Sequence, residues 1–180
     1  MIIGVTGTIG SGKDTVANFF VKHYRFEKIT MSDFLRRIER NRKIKPTRDA
    51  LRKLQQEIRN KYGEDILMDM LLSEIVERNL KNVVISGLRT SADLTLSRRK
   101  LKAKFIFVDA KPEIRFIRLR KRGRQGDPKD FHEFLHQDAI EMATFHLNRA
   151  KNISDFKVDN SKDPETTEKQ LKKIVKKLKI

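Results

Sequence analysis

Short apolar runs alternate along the chain with longer stretches whose apolar residues recur every three or four positions. The runs are Met1 to Val5, Phe26 to Met31, Val83-Val84-Ile85, Phe105-Ile106-Phe107-Val108 and Phe156 to Val158. They are rich in β-branched and aromatic residues; those at Met1 to Val5, Val83 to Ile85 and Phe105 to Val108 are unbroken by polar residues, which predicts strands buried on both faces, whereas Glu27, Lys28, Thr30 and Lys157 interrupt the other two. Between them the period is helical. After Lys13, the residues Val16, Phe19, Phe20 and Tyr24 share one face. Ser32 is placed to cap a helix that carries Phe34, Leu35 and Ile38. Pro46 breaks the chain, and Thr47 then caps a helix with Leu51, Leu54, Ile58 and Tyr62, ended by Gly63. Another stripe holds Ile66, Leu67, Met70, Leu71, Ile75 and Val76, and a further helix runs through Leu94 and Leu101. Pro112 opens the next at its first turn. Asp130 and Glu133 form a capping-box-like pair that predicts one helix to about Arg149. Asp163 and Pro164 start the last, with Leu171, Ile174, Val175 and Leu178 on one face.

Strands that alternate with helices predict an α/β fold with a parallel sheet covered on both faces. No linker or repeat interrupts residues 1–180, so one domain is expected. Ligands in such sheets bind at the carboxyl ends of the strands, which directs attention to the loops after Val5, Ile85, Val108 and Val158.

Composition removes several classes. There is no cysteine, hence no disulfide framework, thiol nucleophile or thiolate metal site, and a cytoplasmic setting is expected. No apolar run approaches the ~18 residues of a membrane span, and the start of the chain lacks the basic region of a signal peptide. The formal net charge of +17 is unevenly spread. Between Arg98 and Arg124 lie twelve basic residues against Asp109 and Glu113. Between Arg36 and Lys61 lie eleven against Glu39, Asp49 and Glu57. Fields of this kind attract phosphates, nucleotides or nucleic acid. The other reading, a solvated charged surface, applies best to the C-terminal lysines and least to the arginines of 115–124.

One motif carries chemistry. Gly7-Thr8-Ile9-Gly10-Ser11-Gly12-Lys13 reads G-x-x-x-x-G-K between a predicted strand and a predicted helix. Its glycines let backbone N–H groups wrap a phosphate chain, the helix N-terminus adds a fixed positive field, and Lys13 is a mobile charge for the β and γ phosphates. A hydroxyl residue is expected after the lysine as a Mg²⁺ ligand, but Asp14 stands there, followed by Thr15. Asp14 either ligates Mg²⁺ through its carboxylate or favours the helix N-terminus through its charge.

With these residues in view, the chain resembles small P-loop kinases of the nucleoside monophosphate kinase and dephospho-CoA kinase group. Gly4 to Ala17 is similar to the opening of dephospho-CoA kinases, and the Gly-Lys-Asp variant resembles some deoxynucleotide and phosphomevalonate kinases. Ser32-Asp33-Phe34-Leu35-Arg36 resembles the Gly-Asp-Met-Leu-Arg stretch of adenylate kinases. Arg118 to Arg124, followed by Asp127-Pro128, resembles the start of their lid and is close to a group of archaeal adenylate-kinase-related proteins.

The resemblance implies a P-loop NTPase architecture: three α/β/α layers, a five-stranded parallel sheet, a helical acceptor-binding region over 32–80 and a short lid over 122–130. It implies ATP as donor, held by Gly7 to Thr15, with Mg²⁺ as cofactor. Lys13, Arg118 and Arg122 would clamp the transferred group. Asp33 would handle the acceptor hydroxyl, and Arg36 and Arg89 its phosphate. Ser86 stands where the group has aspartate in Asp-Gly-x-x-Arg, a second departure on the magnesium side. The acceptor expected first is a nucleoside or deoxynucleoside monophosphate, and the alternative is the 3′-hydroxyl of dephospho-CoA. A nucleic-acid-associated ATPase and a non-catalytic nucleotide-binding protein are the readings from other classes. His132 and His136 sit at helical spacing but have no third ligand in the sequence, and are read as exposed.

Overall fold

A computed structural model describes residues 1–43, 48–88, 90–124 and 126–180. Its strands are β1 (Ile2–Gly7), β2 (Glu27–Thr30), β3 (Val83–Ser86), β4 (Lys104–Asp109) and β5 (Phe156–Asp159). They form one parallel sheet in the order β2-β3-β1-β4-β5, with Val5 opposite Ser86 and Gly7 opposite Val108. β1 is therefore central, and its carboxyl end meets the ends of β3 and β4, the crevice that α/β sheets use for ligands.

The helices are α1 (Lys13–Tyr24), α2 (Met31–Asn41), α3 (Arg48–Tyr62), α4 (Ile66–Glu77), α5 (Ser91–Leu101), α6 (Pro112–Arg122), α7 (Phe131–Thr144), α8 (Leu147–Ile153) and α9 (Pro164–Leu178). Successive strand residues point to opposite faces, so the apolar runs of β1, β3 and β4 feed two cores, while β5 gives Phe156 and Val158 to one. Ile3, Val5, Val84, Ile106, Val108 and Val158 pack with Val16, Phe20, Leu171 and Val175 of α1 and α9. Val83, Ile85, Phe105 and Phe107 pack on the other face with Leu35, Leu54, Leu71 and Leu94 of α2 to α5 and Ala150 of α8. Three layers result, and the continuous runs are explained, because both faces of the sheet are covered.

Two sequence expectations need correction. The helix expected to start from Ser32 begins at Met31, with Thr30 at the cap and no side-chain capping bond. The single helix expected from Asp130 to about Arg149 is two. α7 ends at Thr144, His146 takes φ 49°, and α8 starts at Leu147. Leu147 and Ala150 are buried, and the turn aims them at the core. Asp130 does cap α7 by accepting from the Glu133 amide at 2.8 Å, and Asp163 caps α9 from the Thr166 amide. The break at Pro46, the cap at Thr47 and the candidate Arg89 lie outside the described residues.

Candidate functional site

The Gly7–Lys13 loop joins β1 to α1 at the sheet's carboxyl edge. Gly7 takes φ 145°, and a Cβ there would overlap the Val108 carbonyl of the neighbouring strand. Gly12 takes φ 90°, and a Cβ there would overlap the side-chain amide of Asn160. Close backbone approach thus requires glycine at both positions. Lys13 Nζ donates to the Gly7 and Thr8 carbonyl oxygens at 2.9 and 2.6 Å. The hydroxyl of Ser11 is buried and has no hydrogen-bond partner among the described residues, so the loop holds an unmet donor there. Ile9 packs on Leu119 and Phe134, which anchors the loop to α6 and α7.

On the β3 side, the two departures from the expected pattern meet. Ser86 Oγ donates to Asp14 Oδ1 at 3.2 Å, and Lys28 Nζ donates to the same oxygen at 2.8 Å. Partial burial raises the Asp14 pKa. The hydrogen bond and charge of Lys28, the Ser86 bond and the charge of Lys13 outweigh it, so the carboxyl titrates below the usual aspartate value. Asp14 Oδ2 has no partner among the described residues, and the side chain is 72% exposed. One reachable carboxylate oxygen fits a Mg²⁺ ion that takes its other ligands from substrate phosphates and water. Asp14 makes no side-chain capping bond, and Gly12 holds the cap position. Thr15, one turn position on, is exposed.

On the β4 side, Thr8 Oγ1 donates to Asp109 Oδ1 at 2.9 Å, and Lys151 of α8 pairs with Asp109 Oδ2 at 3.1 Å. Burial raises the Asp109 pKa, but the Thr8, Lys151 and Ala110 hydrogen bonds leave it below the ordinary value. Arg118 donates to the Asn160 carbonyl at 2.8 Å and weakly to the Ser11 carbonyl at 3.4 Å. Burial lowers its pKa from the arginine value. Asn160 follows β5 and donates from Nδ2 to the Ser11 carbonyl at 2.7 Å. Arg118 thus stands beside the phosphate loop.

Arg122 is engaged elsewhere. Its Nε donates to Asp127 Oδ2 at 3.0 Å and its Nη2 to Oδ1, while the Arg124 amide also bonds Asp127. The segment read as a lid is here tied into a turn by Asp127. We expect Asp127→Ala to speed amide exchange at Arg124 by about fivefold, the worth of one hydrogen bond. Unchanged exchange there would remove Asp127 from that role.

Arg115 departs furthest from expectation. Read with its neighbours as a phosphate-attracting arginine, it is instead 4% exposed. It pairs with both oxygens of Asp138 on α7 at 2.5 and 2.8 Å, donates to the Ala110 and Ile9 carbonyls, and lies against the Phe134 ring. Its task is to pin the phosphate loop to α7.

Asp33 and Arg36 stand on the first turns of α2, exposed and unpaired among the described residues. A cavity of about 300 Å³ beside Asp33 is bordered by Lys28, Arg37, Arg40, Glu74 and Arg78. Arg37 and Arg40, one and two turns beyond Asp33, join that lining, whereas Arg36 does not. His132 and His136 are exposed, and among the described residues no group of three or more His, Asp or Glu could hold a metal ion. Asn160, Asp109, Lys28 and Lys151 escaped sequence reasoning. The available signal was position, since Asp109 directly follows the predicted strand ending at Val108 and Asn160 lies two residues beyond the one ending at Val158.

The geometry has a counterpart in known proteins. Residues 6–134 match the AAA domain family. A UPF0200 protein of Pyrococcus horikoshii is 30% identical over 99% of this chain and 97% of its own length. The chain belongs to the AAA domain family and to the UPF0200 proteins. Another member of the latter, from Hyperthermus butylicus, is 29% identical over 99% of the chain and 95% of that protein. Among solved structures, the shikimate kinase of Bacteroides thetaiotaomicron superposes with a TM-score of 0.63 at 20% identity, covering 100% of this chain and 99% of that one. A gluconokinase from Sinorhizobium meliloti gives 0.56 at 15% identity, over 98% and 94%. These likenesses establish the α/β P-loop kinase fold of the family. Among the described residues no helix is long and apolar enough to cross a membrane.

Proposed function

We propose that the chain is an ATP-dependent kinase that transfers a phosphoryl group to a nucleotide-like acceptor, first of all a nucleoside or deoxynucleoside monophosphate. The observation that carries this is the Gly7–Lys13 loop. A mobile ammonium is held on two loop carbonyls beside an unmet Ser11 hydroxyl, with Arg118 adjacent. Entering phosphate oxygens offer Lys13 a stronger, charge-assisted partner than those neutral carbonyls. Phosphoryl transfer asks little covalent chemistry of a protein and mainly requires positioning and positive charge around the transferred oxygens. Lys13, Arg118 and the α1 N-terminus supply that charge. Arg122 joins only by leaving Asp127. Mg²⁺, when bound with the nucleotide, neutralises charge on the β and γ oxygens, and Asp14 is the residue that would hold it.

Asp33 is the carboxylate suited to orient or deprotonate the acceptor hydroxyl, because it is exposed and, among the described residues, unpaired. Arg36, Arg37 and Arg40 supply cations on the same helix for an acceptor phosphate, and Arg89 is the remaining candidate for that contact. Similarity in fold to shikimate kinase and gluconokinase supports a small-molecule kinase in general, and the nucleotide preference rests on Ser32 to Arg36.

A coupled ADP-release assay over nucleoside monophosphates, deoxynucleotides and dephospho-CoA tests the reading. One monophosphate class is expected to turn over well above the background hydrolysis of ATP. Turnover of dephospho-CoA alone would replace the acceptor, and release that no acceptor stimulates would replace the activity. With the active acceptor, Asp33→Asn should lower kcat by about 10²–10⁴-fold while ADP binding is unchanged.

A further inference from the structure

Two positions on the magnesium side depart from what a phosphate loop of this kind leads one to expect. The helix position after the lysine should offer a hydroxyl and the end of β3 a carboxylate. This chain has the reverse, Asp14 on α1 and Ser86 on β3, and the two are bonded at 3.2 Å. A hydroxyl–carboxylate pair is therefore present at the same junction, with its members on exchanged elements. Lys28 of β2 completes it, with Nζ 2.8 Å from Asp14 Oδ1 and 3.1 Å from Asn18 Oδ1.

We infer that Asp14 and Ser86 are a position-exchanged cation-binding pair, in which Asp14 is the metal ligand, Ser86 its positioning residue and Lys28 the resident cation. The inference rests on the reading that the loop binds magnesium–nucleotide.

The geometry assigns the roles. Both donors, Ser86 and Lys28, converge on Oδ1 and hold the carboxylate in one rotamer. Oδ2 is left toward solvent with no partner among the described residues. A ligand oxygen needs this kind of support, since partners beyond the metal's own ligands orient it. Lys28 is only 25% exposed, and its ammonium neutralises Asp14 when no metal is bound. It must then weaken the attraction of Asp14 for Mg²⁺, because like charges share one carboxylate. The exchange also accounts for both departures together: if either had changed alone, the site would hold two hydroxyls or two carboxylates.

The test measures affinity for a fluorescent ADP analogue with and without Mg²⁺, and takes the ratio as the magnesium gain. Wild type should show a clear gain. Asp14→Ser, which leaves two hydroxyls, should lose about 10–100-fold of it. The double variant Asp14→Ser/Ser86→Asp, which returns each group to the other element, should recover to within about threefold of wild type, as expected when two contacting residues act as a unit. Asp14→Asn keeps the shape of the side chain and should lose the gain through weaker binding in the presence of Mg²⁺, so a double variant that fails to fold does not decide the matter alone. Lys28→Met should lower the Mg²⁺ concentration for half-saturation by roughly two- to fivefold, the worth of an exposed ion pair. No gain in wild type, a full gain in Asp14→Asn, or a well-folded double variant no better than Asp14→Ser would overturn the exchanged pair. A higher or unchanged magnesium requirement in Lys28→Met would overturn the role of Lys28. These readouts involve no acceptor. If the pattern holds but no phosphoryl group is transferred, the kinase reading fails alone. Transfer without the pattern would sink only the exchanged pair.

Discussion

Lys13→Ala is expected to reduce phosphoryl transfer by about 10²–10³-fold, the scale on which single charge-stabilising donors act in active sites. The reason is local. Lys13 is the side chain of the loop that carries a full charge into it, and it is held by two backbone carbonyls that phosphate oxygens can replace. The fold should tolerate its loss, because Nζ bonds the Gly7 and Thr8 carbonyls of the loop and α1 starts from the backbone of Gly12. The melting temperature should therefore shift little, within the roughly 0.5 kcal/mol usual for substitutions outside a core. Steady-state kinetics with the active acceptor, beside thermal unfolding of both proteins, checks the pair of expectations. Near wild-type turnover in the variant would defeat the kinase reading, and a large loss of stability would show that the loop lysine supports the fold instead.

Arg115→Ala should cause the largest loss of stability. The guanidinium is buried, and removing it strands the Asp138 carboxylate, whose side chain is 15% exposed, and leaves the Ala110 and Ile9 carbonyls without this donor. Breaking one member of a buried pair costs about 3–5 kcal/mol, mostly as the penalty of the orphaned charge. For a chain of this length that corresponds to a fall in melting temperature of roughly 6–20 °C. The double variant Arg115→Met/Asp138→Leu removes both charges and should recover a good part of the loss, since apolar replacement of a buried pair is often close to neutral. Thermal unfolding of the three proteins is the measurement. A single variant within about 0.5 kcal/mol of wild type would deny Arg115 its pinning role.

The difference between these two basic residues shows where sequence reading reaches its limit. Lys13 is legible because its task is local: a glycine-rich loop, a lysine and a strand–helix junction lie in consecutive residues. Arg115 stands in a run of arginines that all look alike as sequence. Its burial depends on Asp138, 23 residues away, and on a loop more than 100 residues earlier. The same distinction applies to Arg118 and Arg122, which are one turn apart on α6. Asn160 holds the first beside the phosphate loop, and Asp127 pairs with the second.

By itself the sequence determined the parallel α/β architecture, the place of the phosphate loop and the two odd positions Asp14 and Ser86. Apolar period and glycine placement act over a few residues, so they survive in one dimension. Only the tertiary structure decided that Asp14 and Ser86 touch, 72 residues apart, that Lys28 joins them, and that α7 and α8 are separate helices. Parallel pairing is the physical reason. It lays β3 beside β1 through a long crossover, and sets side by side chain segments whose spacing in sequence carries no trace of the contact.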